Sequence, residues 1–432
     1  MLRFASSPTG DMHIGDLRVA IFNYITSKQR DEDLIVRIED TDKEKNIEDK
    51  DKEILDILGV FSIEYSQVIH QSQNVRFHTA MALQLMHEKK VFSCFCSPDW
   101  IEKKRREAKE TKKTYKYDDA CRNLHPELVI DNTNPFTIRI NRPDETIAIK
   151  DLVKGDISFA PDTMDSFIIM SQDKTPTYNF SCAVDDMLND ISTVIHSEEH
   201  ISDTPQQEHI RNSLDYEKKI EYAHLPIILN NEDKKMSKDD DAFSVKWLLE
   251  EGYLPDAIAN YLILMGNETP QEIFNMKDAI EWFNLEKMSK SPIRFDIDML
   301  KHINTEHLKA MDAKELSRYV GFADAEIGEL ARIYLKEAGT TKELKSKISP
   351  IFSKRNIPKD FTEQVTLMAE IIKNAPYFDE YDDFKNYVMK ESRLKGDDFS
   401  KALRILLTNA QSGPDIAEIY KYLKNYIGER IK

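Results

Sequence analysis

The sequence predicts an α/β protein whose first part is a parallel, Rossmann-like domain and whose last part is all helix. Three observations carry this. The first 60 residues alternate strand, loop, helix, strand and helix signals, the opening of a parallel sheet with crossover helices. A segment of different character, 79–178, interrupts that pattern before it resumes. Beyond about residue 306 only helical periodicity remains, punctuated by Pro350, Pro358, Pro376 and Pro414.

Taken in order, residues 2–5 read as a short strand, and 6–12 as a loop holding Pro8 and Gly10. From 13 to 28, Ile14, Leu17, Val19, Ala20, Ile21, Tyr24 and Ile25 recur at helical spacing. Residues 34–38 form a second strand that runs into the acidic turn Glu39-Asp40-Thr41-Asp42, and 44–58 reads as helix. The interrupting segment carries a basic helix (Lys103, Lys104, Arg105, Arg106, Lys109, Lys112, Lys113 and Lys116 against Glu102, Glu107 and Glu110). It then has strand-like stretches at 136–140 and 167–170. Strand and helix signals return at 191–213 and 225–229. Helical patterning follows at 242–251, 255–265 and 280–283.

The chain has 432 residues, which is room for several domains. Its net charge of −17 argues against coating nucleic acid by bulk attraction, although a local basic stripe still docks a polynucleotide. Four cysteines, three of them clustered, point to metal before disulfide. The N-terminus lacks the basic start and apolar run of a signal peptide, and no run of 18 apolar residues occurs. The expectation is a cytoplasmic protein with no membrane partner.

The chemistry starts at Ser7-Pro8-Thr9-Gly10-Asp11-Met12-His13-Ile14-Gly15. A strand, a tight loop and a helix N-terminus bring backbone N–H groups to where phosphates bind. His13 stands at the helix start, and Gly15 leaves a side chain out of the helix surface beside it. A lone His-Ile-Gly would be an accident of composition. On this strand–loop–helix, with Arg3 and Ser7 upstream, it reads as a phosphate site.

These residues resemble the glutamyl-tRNA synthetases, class I aminoacyl-tRNA synthetases of bacterial type. Arg3-Phe4-Ala5, Ser7-Pro8-Thr9-Gly10 and His13-Ile14-Gly15 are similar to the family's first signature. Arg37-Ile38-Glu39-Asp40-Thr41-Asp42 is its next landmark. Pro176-Thr177-Tyr178-Asn179-Phe180 with Asp185-Asp186 follows, then 224–229 leading to Lys235-Met236-Ser237-Lys238, then 252–262. The order is the family's, and the likeness extends through Leu403 to Pro414.

The resemblance implies a class I Rossmann-like nucleotide-binding domain (1–78 and 179–230) and an inserted α+β acceptor-binding domain (79–178). A helical stem-contact region with a lysine loop (231–305) and an all-α anticodon-binding domain (306–432) would follow. It implies ATP-dependent activation of L-glutamate with Mg²⁺ and transfer to tRNA-Glu, tRNA-Gln or both, by a monomer. By resemblance, His13, Lys235 and Lys238 are catalytic, and Ser7, Thr9, Gly10, His13, Gly15 and Lys238 hold ATP. Arg3, Ala5, Ser7, Glu39, Tyr178 and His196 line the glutamate site. A guanidinium fork at Arg3 suits the substrate's side-chain carboxylate.

Two stretches compete for the lysine loop. Lys287-Met288-Ser289-Lys290-Ser291 spells the class I signature better than 235–238 does. The earlier one follows a strand of the nucleotide domain, so its lysines are expected at the phosphates and the later copy is expected to be a basic turn. Cys94, Cys96, Tyr117 and Cys121 are similar to a zinc site found in some members, with His125 the other candidate for the fourth ligand. Cys182 is expected to be a pocket or core thiol.

The chain departs from the family at Ser6, Asp16, His196 and Asp239. A histidine at 196 replaces an arginine that helps hold glutamate, a loss on the order of 1–3 kcal/mol. Added carboxylates near a triphosphate should repel it. The alternative these departures raise is a tRNA-binding paralogue with weakened catalysis.

Overall fold

The computed structural model describes residues 1–112, 114–236 and 240–430, so Lys113, Ser237, Lys238, Asp239, Ile431 and Lys432 lie outside the described residues. The chain divides into two compact units. One comprises Met1–Val245, Leu262–Pro270 and Met276–Phe295, the other Lys246–Tyr261, Gln271–Asn275 and Asp296–Lys432.

The first unit is built on a seven-stranded sheet. Its order is Gln67–His70, Leu34–Ile38, Leu2–Ser6, Thr193–Ser197, Glu221–Leu225, Ile147–Asp151 and Gly155–Phe159. All neighbours are parallel except the last pair. Leu2–Ser6 pairs residue for residue with Leu34–Ile38, and its other neighbour, Thr193–Ser197, lies some 190 positions on in the chain. Strand order reverses there, and the crevice beyond the strands' carboxyl ends is where such sheets bind ligands. Helix Ile14–Arg30 covers one side with Leu17, Ile21 and Ile25 fully buried. Helix Tyr178–Leu188 covers strands Leu2–Ser6 and Leu34–Ile38 with polar side chains, since its Asp186 meets both Arg3 and Arg37.

The segment after residue 79 is shared between two sheets. Val91–Cys94, Thr137–Ile140 and Ile168–Met170 form a separate antiparallel sheet. Ile147–Asp151 and Gly155–Phe159 extend the main one. Ile147 and Ile149 are buried and Ala148 and Lys150 exposed, the alternation of a strand with one covered face.

Two elements differ from the sequence expectation. The helix expected over 44–58 begins at Lys50. Asp49 holds a left-handed backbone at φ 63°, the Ile47 N–H donates to the Pro8 carbonyl (2.9 Å) and the Asn46 amide donates to the Asp40 carbonyl (2.8 Å). Those bonds fasten 44–49 to the loop after the first strand and to the turn after the second. The strand expected over 225–229 is broken in two at Pro226, which has no N–H for the ladder. The next N–H, that of Ile227, donates to Glu198 at 3.0 Å.

The second unit is helical throughout its described residues. Asn304 is buried there, accepting from the Leu254 N–H (2.7 Å) and donating to the Gly339 carbonyl (2.6 Å). Val365, Met368, Phe384, Val388, Phe399, Leu403, Leu406 and Tyr420 form its apolar core. Among the described residues of the chain, no helix is long and apolar enough to cross a membrane.

Candidate active site

A cleft opens beyond the carboxyl ends of Leu2–Ser6, Thr193–Ser197 and Glu221–Leu225. Its walls include Ala5, His13, Gly15, Asp16, His196, Glu199, His200 and Lys235. His13 caps helix Ile14–Arg30, and its Nδ1 accepts the Asp16 N–H at 3.1 Å. Its Nε2 lies 3.0 Å from the Asp16 carboxylate. A Cβ built on Gly15 would sit 2.9 Å from that Nδ1, so glycine is what lets the imidazole fold back over the helix end. Asp16 is half-buried. Burial raises its pKa, and the adjacent His13 opposes the rise.

Lys235 enters from the opposite side. Its strand-like bridge to Leu229 closes a turn in which the Asn230 N–H donates to the Lys234 carbonyl at 2.7 Å, and its ammonium pairs with Glu199. The second lysine-rich stretch is anchored through its other residues. Met288 is buried, with its sulfur 3.9 Å from Arg18, and the Ser289 N–H donates to the Gly266 carbonyl at 2.8 Å. Arg18 itself is fully buried, donating to the carbonyls of Pro226 (3.2 Å) and Met265 (2.9 Å). Burial lowers it to about 10, so it stays charged at neutral pH.

Behind the cleft lies a buried charge cluster. Arg3 Nε donates to Asp186 at 3.3 Å, and Arg37 pairs with the same carboxylate oxygen. Arg37 also donates to Glu39 at 3.3 Å. Glu39 accepts from the Cys182 thiol (3.1 Å) and the Ser7 hydroxyl (3.4 Å). Full burial works to raise the Asp186 pKa, but Arg37, Arg3 and Arg211 outweigh it and hold the carboxyl at about 2. Arg3 spends only Nε on Asp186, and no described residue takes its terminal nitrogens.

Tyr178 begins its helix beside this cluster. The residue is partly open to solvent, but its hydroxyl is desolvated among neighbouring groups, and this, with Glu39 and Cys182 nearby, raises its pKa well above the ordinary value so that it stays protonated. His196 is buried in a column of rings, 4.4 Å from His224 and 5.2 Å from His200. Burial first, then His224, Arg3 and His200, push its pKa well below that of an ordinary histidine, so it is neutral. Its Nε2 is buried without a protein partner. His224 is pinned between Asp151 and the Thr204 hydroxyl (2.9 Å).

Arg3, Ser7, Glu39, Tyr178 and His196 thus gather at one end of the site, with Ala5, His13, Gly15 and Lys235 along the cleft. Ser7 and Thr9 are exposed on the loop, where the Thr9 N–H donates to the Ser7 carbonyl at 2.8 Å, and Gly10 is half-buried beside them. Lys238 lies outside the described residues. Sequence reasoning did not single out Asp186, Arg37 or Glu199 as site residues. The first two stood inside quoted motifs, which was the available signal.

The clustered cysteines form a second candidate site. The sulfurs of Cys94, Cys96 and Cys121 lie within 4.8 Å of one another. The Tyr117 hydroxyl is 3.4 Å from Cys94 and 3.6 Å from Cys96. The Cys96–Cys121 separation of 3.6 Å is close to the ~3.8 Å edge of a tetrahedron with Zn–S bonds of about 2.3 Å. Burial disfavours the Cys94 thiolate, but Tyr117, the Cys96 N–H and Arg139 outweigh it and bring the thiol down to about 7. His125 is exposed and faces Glu127 at 3.7 Å, away from this group. Helix Pro98–Glu110, next along the chain, buries none of its residues.

Comparison with known proteins bears on the family and the fold. A family model described as "tRNA synthetases class I (E and Q), catalytic domain" matches residues 1–302. The chain is 67% identical over 432 residues to "Glutamate--tRNA ligase 2" of Sulfurimonas denitrificans, covering 100% of each. It is 52% identical over 432 residues, again 100% of each, to "Glutamate--tRNA ligase 1" of a Nitratiruptor species. A crystal structure of a glutamate tRNA ligase from Elizabethkingia meningosepticum in complex with its amino acid has the same fold, with a TM-score of 0.84. It shares 24% identity and the alignment covers 100% of this chain and 98% of that one.

Proposed function

Because the chain belongs to the class I tRNA synthetases for glutamate and glutamine, we infer that it activates L-glutamate with ATP and transfers the glutamyl group to the 3′ end of tRNA. Its activity is that of a glutamate–tRNA ligase. The observation that carries the site assignment is the meeting, at one strand switch point, of a carboxylate-binding arginine and a phosphate-binding helix N-terminus. ATP–pyrophosphate exchange with glutamate and tRNA present tests it. Exchange is expected, and intact tRNA binding without exchange would sink the reading. Aminoacylation of separately transcribed tRNA-Glu and tRNA-Gln then identifies the accepted tRNA.

Activation has the glutamate α-carboxylate attack the α-phosphate of ATP while pyrophosphate leaves. Positioning and charge stabilisation do most of the work in such a transfer. The terminal nitrogens of Arg3 hold the substrate's side-chain carboxylate as a fork, with Nε anchored on Asp186. The Tyr178 hydroxyl and His196 Nε2 offer neutral hydrogen bonds at the same end. His13 and Lys235 face the phosphates as charge moves onto them, the role the resemblance also gives to Lys238. Mg²⁺ arriving with ATP neutralises part of the triphosphate charge. The exposed cations of helix Pro98–Glu110 face solvent, where an acceptor stem would find them.

Cys94, Cys96, Cys121 and Tyr117 fit a structural zinc ion, which would cross-link strand Val91–Cys94 to the segment around Tyr117. Reconstituted protein is expected to carry about one zinc by elemental analysis, in line with a four-ligand structural site. Cys96→Ser should lose it and melt earlier. Retention of the metal in that variant would exclude this ligand set.

A further inference from the structure

His13 and Lys235 both line the cleft, and each has an acidic neighbour. Lys235 pairs with Glu199, and His13 Nε2 lies 3.0 Å from Asp16. The other nitrogen of His13 is already used, because Nδ1 accepts the Asp16 N–H at the helix end. The Asp16 carboxylate stands on the other ring nitrogen, Nε2. Gly15 makes this geometry possible, since a side chain there would press the ring out of place.

We propose that Asp16 is a latch on the ATP site: its carboxylate accepts from Nε2 of His13, and ATP binds by exchanging a phosphate oxygen for it. The proposal rests on the reading of this cleft as the ATP site. The simpler role for an acidic residue in the first helical turn is capping, and Asp16 also accepts from the His13 backbone N–H. Capping alone does not need the carboxylate to reach the imidazole. The exchange has a direction. The pair it breaks is one-third exposed on both sides, so it is weak. The carboxylate it leaves behind faces several phosphate charges at once, which is the larger effect. Asp16 therefore sets ATP affinity below what the same cleft would reach with a neutral residue.

The test is pyrophosphate exchange, with saturating glutamate and tRNA, over a range of ATP. Asp16→Asn keeps an acceptor for the helix N-terminus and removes the charge. Its KM for ATP is expected to fall about fivefold, equivalent to about 1 kcal/mol, with the KM for glutamate unmoved. Asp16→Glu keeps the charge, so its KM for ATP should not fall as that of Asp16→Asn does. If Asp16→Asn does not fold, Asp16→Ser serves in its place with the same expectation. An unchanged or higher KM for ATP overturns the proposal. So does a lower kcat with KM unmoved, which would make Asp16 a support for His13 and nothing more. Failure of the parent protein to exchange at all would instead overturn the ATP-site reading.

Discussion

Asp186→Asn is expected to cost the first unit about 3–5 kcal/mol of stability and to raise the KM for glutamate at least tenfold. The carboxylate is fully buried and serves Arg3 and Arg37 together. Removing one member of a buried ionic group leaves the others desolvated and uncompensated, which accounts for the magnitude. The sign of the pH dependence follows from its pKa. Folded Asp186 sits at about 2 against 3.8 for an ordinary aspartate, so its contribution is fully present above about pH 4. It is lost as the pH falls toward 2. That titrating share is about 2 kcal/mol. Denaturant melts of parent and variant should therefore differ most at neutral pH and converge in acid. The KM effect has a separate cause, since Arg3 loses the anchor on Nε that aims its fork. A variant that melts like the parent at pH 7 would show that the cluster is not the keystone described.

The sequence made the cleft legible because its parts are local. The loop 6–12, the helix start at His13 and the acidic turn after Ile38 each announce themselves within a few residues. Long-range pairings were another matter. Arg37 and Asp186 are 149 positions apart, and nothing in either neighbourhood says that one carboxylate anchors two arginines. Strand Ile147–Asp151 alternates as an amphipathic strand should and pairs with the nearby Gly155–Phe159, yet its other neighbour, through Tyr222, lies in a different part of the chain. The helix after Asp42 starts later than periodicity predicts because the Ile47 backbone N–H and the Asn46 side-chain amide bond elsewhere and claim the residues before it. Asp16 shows the limit from the other side. Its charge was visible as a departure, and repulsion of ATP followed. That the charge is spent on His13 depends on the ring folding back over Gly15, which only coordinates reveal.

His13→Ala is expected to slow glutamate-dependent pyrophosphate exchange by about 10²–10³, the usual loss when one preorganised donor to a developing charge is removed. The ring is half-buried at the cleft wall and makes one capping bond through Nδ1, so the cost in stability should be near 1 kcal/mol. His13→Asn separates the two functions. Its side-chain oxygen accepts the Asp16 N–H as Nδ1 does, which restores the helix end. It places no donor where Nε2 reaches, so the rate should stay low. The KM for glutamate should barely move in either variant, because Arg3, Tyr178 and His196 sit at the other end of the site and keep their contacts. Exchange within threefold of the parent in His13→Ala would mean that Lys235 and Lys238 carry the phosphate charge without it.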